Sequence, residues 1–392
     1  MAELFSFLLV IATGLFFAQF FKSFHLPYVV TLIIGGILIG PFGLGLFVPD
    51  DTIEFIGEIG LVFLMFMAGL EIRSSAIANI QKGVGLLAMF NSLIPFIVGV
   101  AISLFLGYNW MTSLFLGAIF ISSSIAVIVP SLENNGLLKT RLGKSILGAT
   151  IVEDVLSLII FSILLQTINP THNIPLPFFY LAMIIFLLFL RAFIYEFRKF
   201  YKQLLVEKKD LFENELRFIF AILLATVILF DLLGFHPIIA GFFAGMVLSE
   251  SIKKETMKTK LHTISYGLFI PVFFVIIGSK TDLSVFSNGF GILFIVALIV
   301  IGSILSKFVS GYIAGKLSGF NSIESSIMGV STVPQLSTTL AVAFTGLELG
   351  ILKEDVIIAM TILSISTTIV GPFLVGYFVR KLNVPDQPNV NA

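Results

Sequence analysis

The chain has no cysteine, so disulfides, thiol catalysis and Cys-ligated metal are excluded from the outset. It has a single tryptophan against 43 phenylalanines. Only 12% of its 392 residues are charged, where soluble proteins carry about 25%, and its formal net charge is zero. It lacks a phosphate-cradling glycine loop after a strand, a metal-ligand cluster and a nucleophile–base pair. Its four histidines, His25, His172, His236 and His262, are scattered near helix ends, where ordinary interfacial roles suffice. Enzyme chemistry, a bound cofactor and nucleic-acid binding therefore have nothing in the sequence to rest on.

What the chain has is apolar length. Its hydrophobic fraction is 57% and its mean hydropathy is +1.08, values of a protein whose solvent is the lipid bilayer. Apolar runs punctuated by polar, Pro and Gly residues predict thirteen helices, over about 4–22, 28–41, 54–71, 83–107, 112–132, 141–168, 177–203, 215–233, 237–251, 262–279, 287–316, 322–346 and 355–380. The fold class expected is thus all-α and polytopic, with thirteen transmembrane helices. The first run has no basic leader and no small-residue cleavage site, so it reads as a retained helix and not a signal peptide.

The basic residues set the orientation. Of the 23 Lys and Arg, most fall to loops after odd-numbered helices, to the helix ends beside those loops or to the C-terminal tail; Lys280 and Lys353 fall to the other loops, and Lys307 and Arg191 inside helices. The positive-inside rule makes those loops cytoplasmic, with the N-terminus outside and the C-terminus inside a cell membrane. Thirteen helices divide as six, one and six, and an odd linker inverts the second half relative to the first. The linker is helix 177–203, whose charged end (Arg198, Lys199, Lys202, Lys208, Lys209) reads as a solvated cytoplasmic face.

The helix Ile146–Leu165 organises the rest. It is apolar, yet Glu153 and Asp154 sit side by side near its middle. A charge there costs between roughly 3 and 10 kcal/mol. Adjacent residues point about 100° apart on a helix, so the two carboxylates cannot share one site: one faces a cavity, the other a packed neighbour. Counting from Arg141, Asp154 lies about 20 Å along the axis at 1.5 Å per residue, near mid-bilayer. Lys307, inside the eleventh helix with no acid within a turn, is the natural counter-charge. A structural ion pair is the plain alternative to an ion or proton site.

Two hydroxyl-rich interruptions fall on the fifth and twelfth helices, partners under an inverted repeat. One is Ser122-Ser123-Ser124 followed by Pro130; the other runs from Ser331 through Val333-Pro334-Gln335 to Thr339. Paired breaks of this kind point to a transport site. Three small-residue pairs, Gly36/Gly40, Gly241/Gly245 and Gly311/Gly315, imply close helix packing and nothing more.

Four segments carry a family resemblance: Leu26-Pro27 through GGILIGP to Pro41, Glu58-Ile59-Gly60 through FLMFMAGLEIR to Arg73, ATIVEDV at 149–155, and Lys307. Through them the chain resembles monovalent cation:proton antiporters of the second family, the branch of Kef-type and NapA-like proteins. The resemblance implies inverted six-helix repeats with two crossed discontinuous helices, a homodimer, and an elevator-like shift of a core against a panel. It implies exchange of Na+ or K+ for H+. Asp154 matches the ion-binding aspartate, the ligand of the transported monovalent cation, and desolvation of its charge makes proton and cation compete there. Glu153 matches the acid that pairs with the core lysine, Lys307. Ser122, Ser123, Ser124 and Val333, Pro334, Gln335 match the unwound crossings. The corresponding domains are panel or dimerisation halves at 1–82 and 215–286, core halves at 83–168 and 287–381, a linker and loop at 169–214, and a tail at 382–392. The nucleotide-binding regulatory domain of Kef systems is expected to be absent. Two departures stand out: Glu153 where NapA-like members have Asp and Kef-type members often Gln, and Pro334-Gln335-Leu336 where many relatives carry Arg-Gly-Glu. Glu153 and Lys307 are expected to form an ion pair that opens when protons bind, and a pair that also carried a proton through the cycle would make the exchange electrogenic. The competing functions are a non-transporting membrane sensor or receptor on the same fold, and a cation channel.

Overall fold

The computed structural model describes residues 2–21, 28–71, 82–168, 213–232, 235–249, 255–284 and 290–382, with isolated positions at 181, 185, 188, 192 and 252. Regular structure among them is helical throughout. Of the expected linker helix 177–203 only positions 181, 185, 188 and 192 are described, all helical; its charged end, the sequence Leu26-Pro27 and the tail beyond 382 lie outside the described residues, as do His25 and His172.

The helices are α1 (Ala2–Phe21), α2 (Tyr28–Ile39), α3 (Asp51–Glu71), α4 (Lys82–Phe105), α5 (Trp110–Ile121), α6 (Ile125–Asn134) and α7 (Arg141–Ile168). They continue as α8 (Asn214–Leu232), α9 (Pro237–Ser249), α10 (Glu255–Ile264), a wide π turn at Ser265–Phe269, α11 (Ile270–Ser279), α12 (Phe290–Leu317), α13 (Ser322–Ser331), α14 (Ser337–Glu348) and α15 (Glu354–Val379). Every expected span on described residues is helical over most of its length. Among the described residues seven helical stretches are long and apolar enough to cross a membrane by length and composition, and the chain is a multi-pass membrane protein.

The interruptions expected in the fifth and twelfth spans divide each into two helices, α5/α6 and α13/α14, separated at Ser122–Ser124 and Thr332–Leu336. Two features differ from the sequence reading. The tenth begins at Glu255 and not 262, because the polar turn ETMKTKLH is invisible to hydropathy although it is good helix-forming sequence. The π turn inside it falls in SYGLF, which reads as uninterrupted apolar helix.

The chain divides into two compact units. The first comprises 1–79, 158–293 and 341–358. Its helices meet backbone to backbone through glycine. A Cβ added at Gly36 would lie 2.2 Å from the carbonyl of Val275, and one at Gly278 would lie 2.1 Å from that of Ile33, which locks α2 to α11. Gly69 and Gly245 do the same for α3 and α9, each 2.1 Å from a carbonyl of the other helix. Leu4, Phe5, Leu8, Leu15, Phe16 and Phe20 of α1 are exposed, an apolar outer face suited to lipid.

The second unit comprises 80–157, 294–340 and 359–392. Its core includes Leu87, Ile128, Ile146, Phe320, Ile327 and Met328. Gly311 approaches Gly329 so closely that an added Cβ would sit 2.6 Å from the opposite Cα, bringing α12 against α13. Gly99 and Gly117 bring α4 against α5 at 3.0 Å by the same measure. At the start of α13, Asn321 and Glu324 form a reciprocal capping box, each bond 2.9 Å, a device that contributes about 1 kcal/mol.

Candidate functional site

The site lies wholly within the second unit, where the two helix breaks meet. Three consecutive serines give the backbone local hydrogen-bonding alternatives to the helix ladder. At the other break Pro334 has no N–H to donate. Ser122 ends α5 in an extended conformation (φ −61°, ψ 147°), and Ser124 precedes α6 at φ −90°, ψ 103°. The two breaks satisfy one another. The Ser124 N–H donates to the Pro334 carbonyl at 2.7 Å; the Thr332 carbonyl lies 2.9 Å from the Ser123 hydroxyl, whose one proton goes to the nearer Glu153. Unwound backbone at membrane depth is tolerated only with such internal partners.

α7 delivers Glu153 and Asp154 to this crossing, and both are buried, at 0% and 4% exposure. Their environments differ. Glu153 Oε2 accepts from the Lys307 ammonium at 2.9 Å and from the Ser123 hydroxyl at 2.7 Å. Its Oε1 accepts from Asn91 Nδ2 at 3.1 Å. Lys307, at 0% exposure, has three ammonium protons and three acceptors: Glu153 Oε2, Ser123 Oγ at 2.9 Å and the carbonyl of Ile121. That carbonyl is the last of α5, freed by the break, and the negative end of a half-helix suits a cation.

Asp154 instead accepts from the Ser122 hydroxyl at 2.9 Å and from the backbone N–H of Ser123. It makes no ion pair of its own among the described residues; the lysine goes to its neighbour. One carboxylate of the pair is therefore fully paired and the other is held only by neutral donors.

Val333, Pro334 and Gln335 are all buried at the second break. Gln335 Nε2 donates to the Phe120 carbonyl at 3.3 Å and to Ser303 Oγ at 3.1 Å, and its backbone N–H donates to Thr367 Oγ1 at 3.1 Å. Because a carbonyl only accepts, the amide orientation is fixed. Gln335 Oε1, like the buried hydroxyls of Ser124, Ser331 and Thr339, has no hydrogen-bond partner among the described residues.

All the sequence-derived site residues meet here. Sequence reasoning missed Asn91, Ser303, Ser310 and Thr367. Asn91 was legible as a lone amide within the apolar run GLLAMFNSLIPF. Ser303 and Ser310 flank Lys307 at i−4 and i+3, one face of α12. Among the described residues no cluster of three or more His, Cys, Asp or Glu is placed to hold a metal ion.

Crossed broken helices around a buried acid–lysine network define a polytopic membrane protein of the ion-transporter class. Residues 6–381 match the family model described as sodium/hydrogen exchanger, transmembrane, and the chain belongs to that family. It is 32% identical to the probable Na+/H+ antiporter 3 of Methanocaldococcus jannaschii over 92% of this chain and 93% of that one. It is 29% identical to an Na+/H+ antiporter of Enterococcus hirae, covering 92% and 94%, and 29% identical to the Na+/H+-K+ antiporter GerN of Bacillus cereus, covering 90% and 89%. The solved structure of the sodium proton antiporter MjNhaP1 from M. jannaschii superposes with a TM-score of 0.71 at 20% identity, over 95% of this chain and 97% of that one. These likenesses support an NhaP-type exchanger fold. They correct the narrower placement: the Kef-type second family drawn from the four sequence segments is not supported.

Proposed function

We propose that the protein is a secondary antiporter that exchanges Na+ for protons across the cell membrane, with Asp154 as the shared site. The single observation that carries this reading is the asymmetry of the acid pair: Glu153 has Lys307 at 2.9 Å, while Asp154, 4% exposed, is held among the described residues by Ser122 and Ser123 alone. A carboxylate buried without a fixed cation must be neutralised by something that comes and goes. A proton and a monovalent cation both serve, and they exclude one another. The named relatives handle Na+ and protons, and one also handles K+, so K+ is the alternative cargo.

The inverted six-helix repeat belongs to the same proposal. Under it the second helix pairs with the ninth and the third with the tenth. The α2–α11 and α3–α9 glycine contacts then exchange with one another, and Gly99–Gly117 exchanges with Gly311–Gly329. Alternating access follows as an elevator-like shift of a core bearing the crossing against a panel that dimerises. The N-terminus lies outside and the C-terminus in the cytoplasm.

The test is exchange in proteoliposomes loaded with a pH dye and challenged with Na+, K+ and Li+. An Asp154→Asn variant that inserts and folds should show no cation-dependent pH change.

A further inference from the structure

Asn91 has a place in the network that pairing of Glu153 with Lys307 does not require. It is fully buried on α4, and so are Glu153 on α7 and Ser310 on α12. Its Nδ2 donates to Glu153 Oε1. Its Oδ1 accepts from the Ser310 hydroxyl, one turn beyond Lys307 on the lysine's own helix. One amide thus ties the helix of the acid to the helix of the base.

The donor count around Glu153 matters more. Oε2 faces Lys307 and Ser123, and Oε1 faces Asn91 Nδ2. Both oxygens are met by donors. A carboxylate uses every one of these hydrogen bonds, whereas a carboxylic acid would set its own O–H against a donor on whichever oxygen carried it. The ammonium is equally committed, with an acceptor for each proton. A network satisfied in one charge state resists leaving it, because each broken bond strands a buried polar atom.

We propose that Asn91 is a positioning residue that locks Glu153 and Lys307 as a permanent ion pair, so that Asp154 alone carries the proton and one cation exchanges for one proton with no net charge moved. This rests on the antiport reading and reverses the expectation that the pair opens during the cycle. Removing Asn91 leaves Glu153 Oε1 without its donor, and a proton becomes the readiest replacement. Glu153 then joins the cycle, and net charge moves.

The measurement is the equilibrium pH gradient set by a fixed Na+ gradient in K+-free proteoliposomes, at several membrane potentials imposed by gradients of the lipophilic cation tetraphenylphosphonium. One net charge per cycle shifts that equilibrium about 50-fold per 100 mV; zero net charge shifts it not at all. The wild type should show no shift. Asn91→Leu, close in volume but without an amide, should acquire one, and Asn91→Gln, which keeps the amide, should behave as wild type. Loss of a stable fold alone would not create potential dependence, so a purely structural role predicts no such split. A wild-type equilibrium that moves with potential overturns the lock, and this reading needs no variant to fold. A folded, exchanging Asn91→Leu that ignores potential overturns the role of Asn91. If the wild type exchanges nothing, the antiport reading itself fails and takes the lock with it, an outcome distinct from exchange with the wrong charge count.

Discussion

The Ser124 amide and the Pro334 carbonyl, distant in sequence, are joined at 2.7 Å across the point where two broken helices meet. Each break alone would leave backbone groups unsatisfied at membrane depth; together they close one another's deficit. The pyrrolidine ring of Pro334 is in turn backed by Gly371 on α15, where an added Cβ would sit 2.4 Å from Pro334 Cγ. Gly371→Val should therefore displace the second break, abolishing exchange and lowering the melting temperature. Gly376→Ala, on the same helix with nothing nearer than 3.9 Å, should leave both within error. Equal behaviour of the two variants would remove Pro334 from the support of the crossing.

The buried pair makes a stability prediction with an order. Removing one member strands the other's charge at a cost of roughly 3–5 kcal/mol. Lys307→Ala leaves Glu153 ionic and uncompensated, so thermal unfolding in detergent should move well down. Glu153→Gln should cost less, because its amide oxygen still accepts from Lys307 and Ser123. A larger loss for Glu153→Gln than for Lys307→Ala would contradict the donor arrangement described for this network.

His236 gives a pH-dependent stability with a definite sign. It lies in the connection before α9, edge-on to Phe161 with ring centroids 6.3 Å apart. Burial lowers its pKa from the ordinary 6.5 to about 4, against the opposing charge of Asp231. Between those values the folded state keeps the ring neutral while the unfolded chain is protonated. Stability that is full above pH 6.5 is thus lost as the pH falls toward 4. By pH 5 the loss is at most about 2 kcal/mol, and smaller because the ring is only partly buried. The melting temperature of His236→Phe should fall less between pH 7 and 5 than that of the wild type. Parallel curves would show that His236 does not titrate with unfolding.

Much of this was legible in the sequence, for reasons that particular residues make plain. A span such as Arg141–Ile168 is legible because one apolar run at 1.5 Å per residue is long enough to cross a bilayer. Ser122–Ser124 was legible as a break because hydroxyls compete for backbone groups over a few residues. Glu153, Asp154 and Lys307 were legible because charge at that depth is costly. What was not legible depended on who meets whom. Nothing local in SYGLF marks a π turn, and nothing near Gln335 says that its amide reaches Phe120 and Ser303. Asn91 stood out as polar, but its bond to Glu153 appears only when α4 and α7 are packed. The choice of Glu153 over Asp154 as partner of Lys307 is likewise tertiary in origin, although the family resemblance anticipated it.

The distribution of basic residues makes a prediction about topology. A reporter fused after Ala392 should read cytoplasmic and one at the N-terminus external. Both on one side would change the number of membrane crossings and undo the inverted pairing of α5/α6 with α13/α14.

The central claim is that proton and cation take turns on Asp154, and the most direct measurement is Na+-driven proton movement by Asp154→Asn in proteoliposomes, beside the wild type at matched reconstitution. Asn keeps the size of the side chain and can still accept from Ser122, so the crossing should stay folded, with a melting temperature at or above the wild-type value. The account predicts a wild-type pH change on adding Na+ and none from the variant, at any pH and any Na+ concentration. Exchange by Asp154→Asn at the wild-type rate would contradict it.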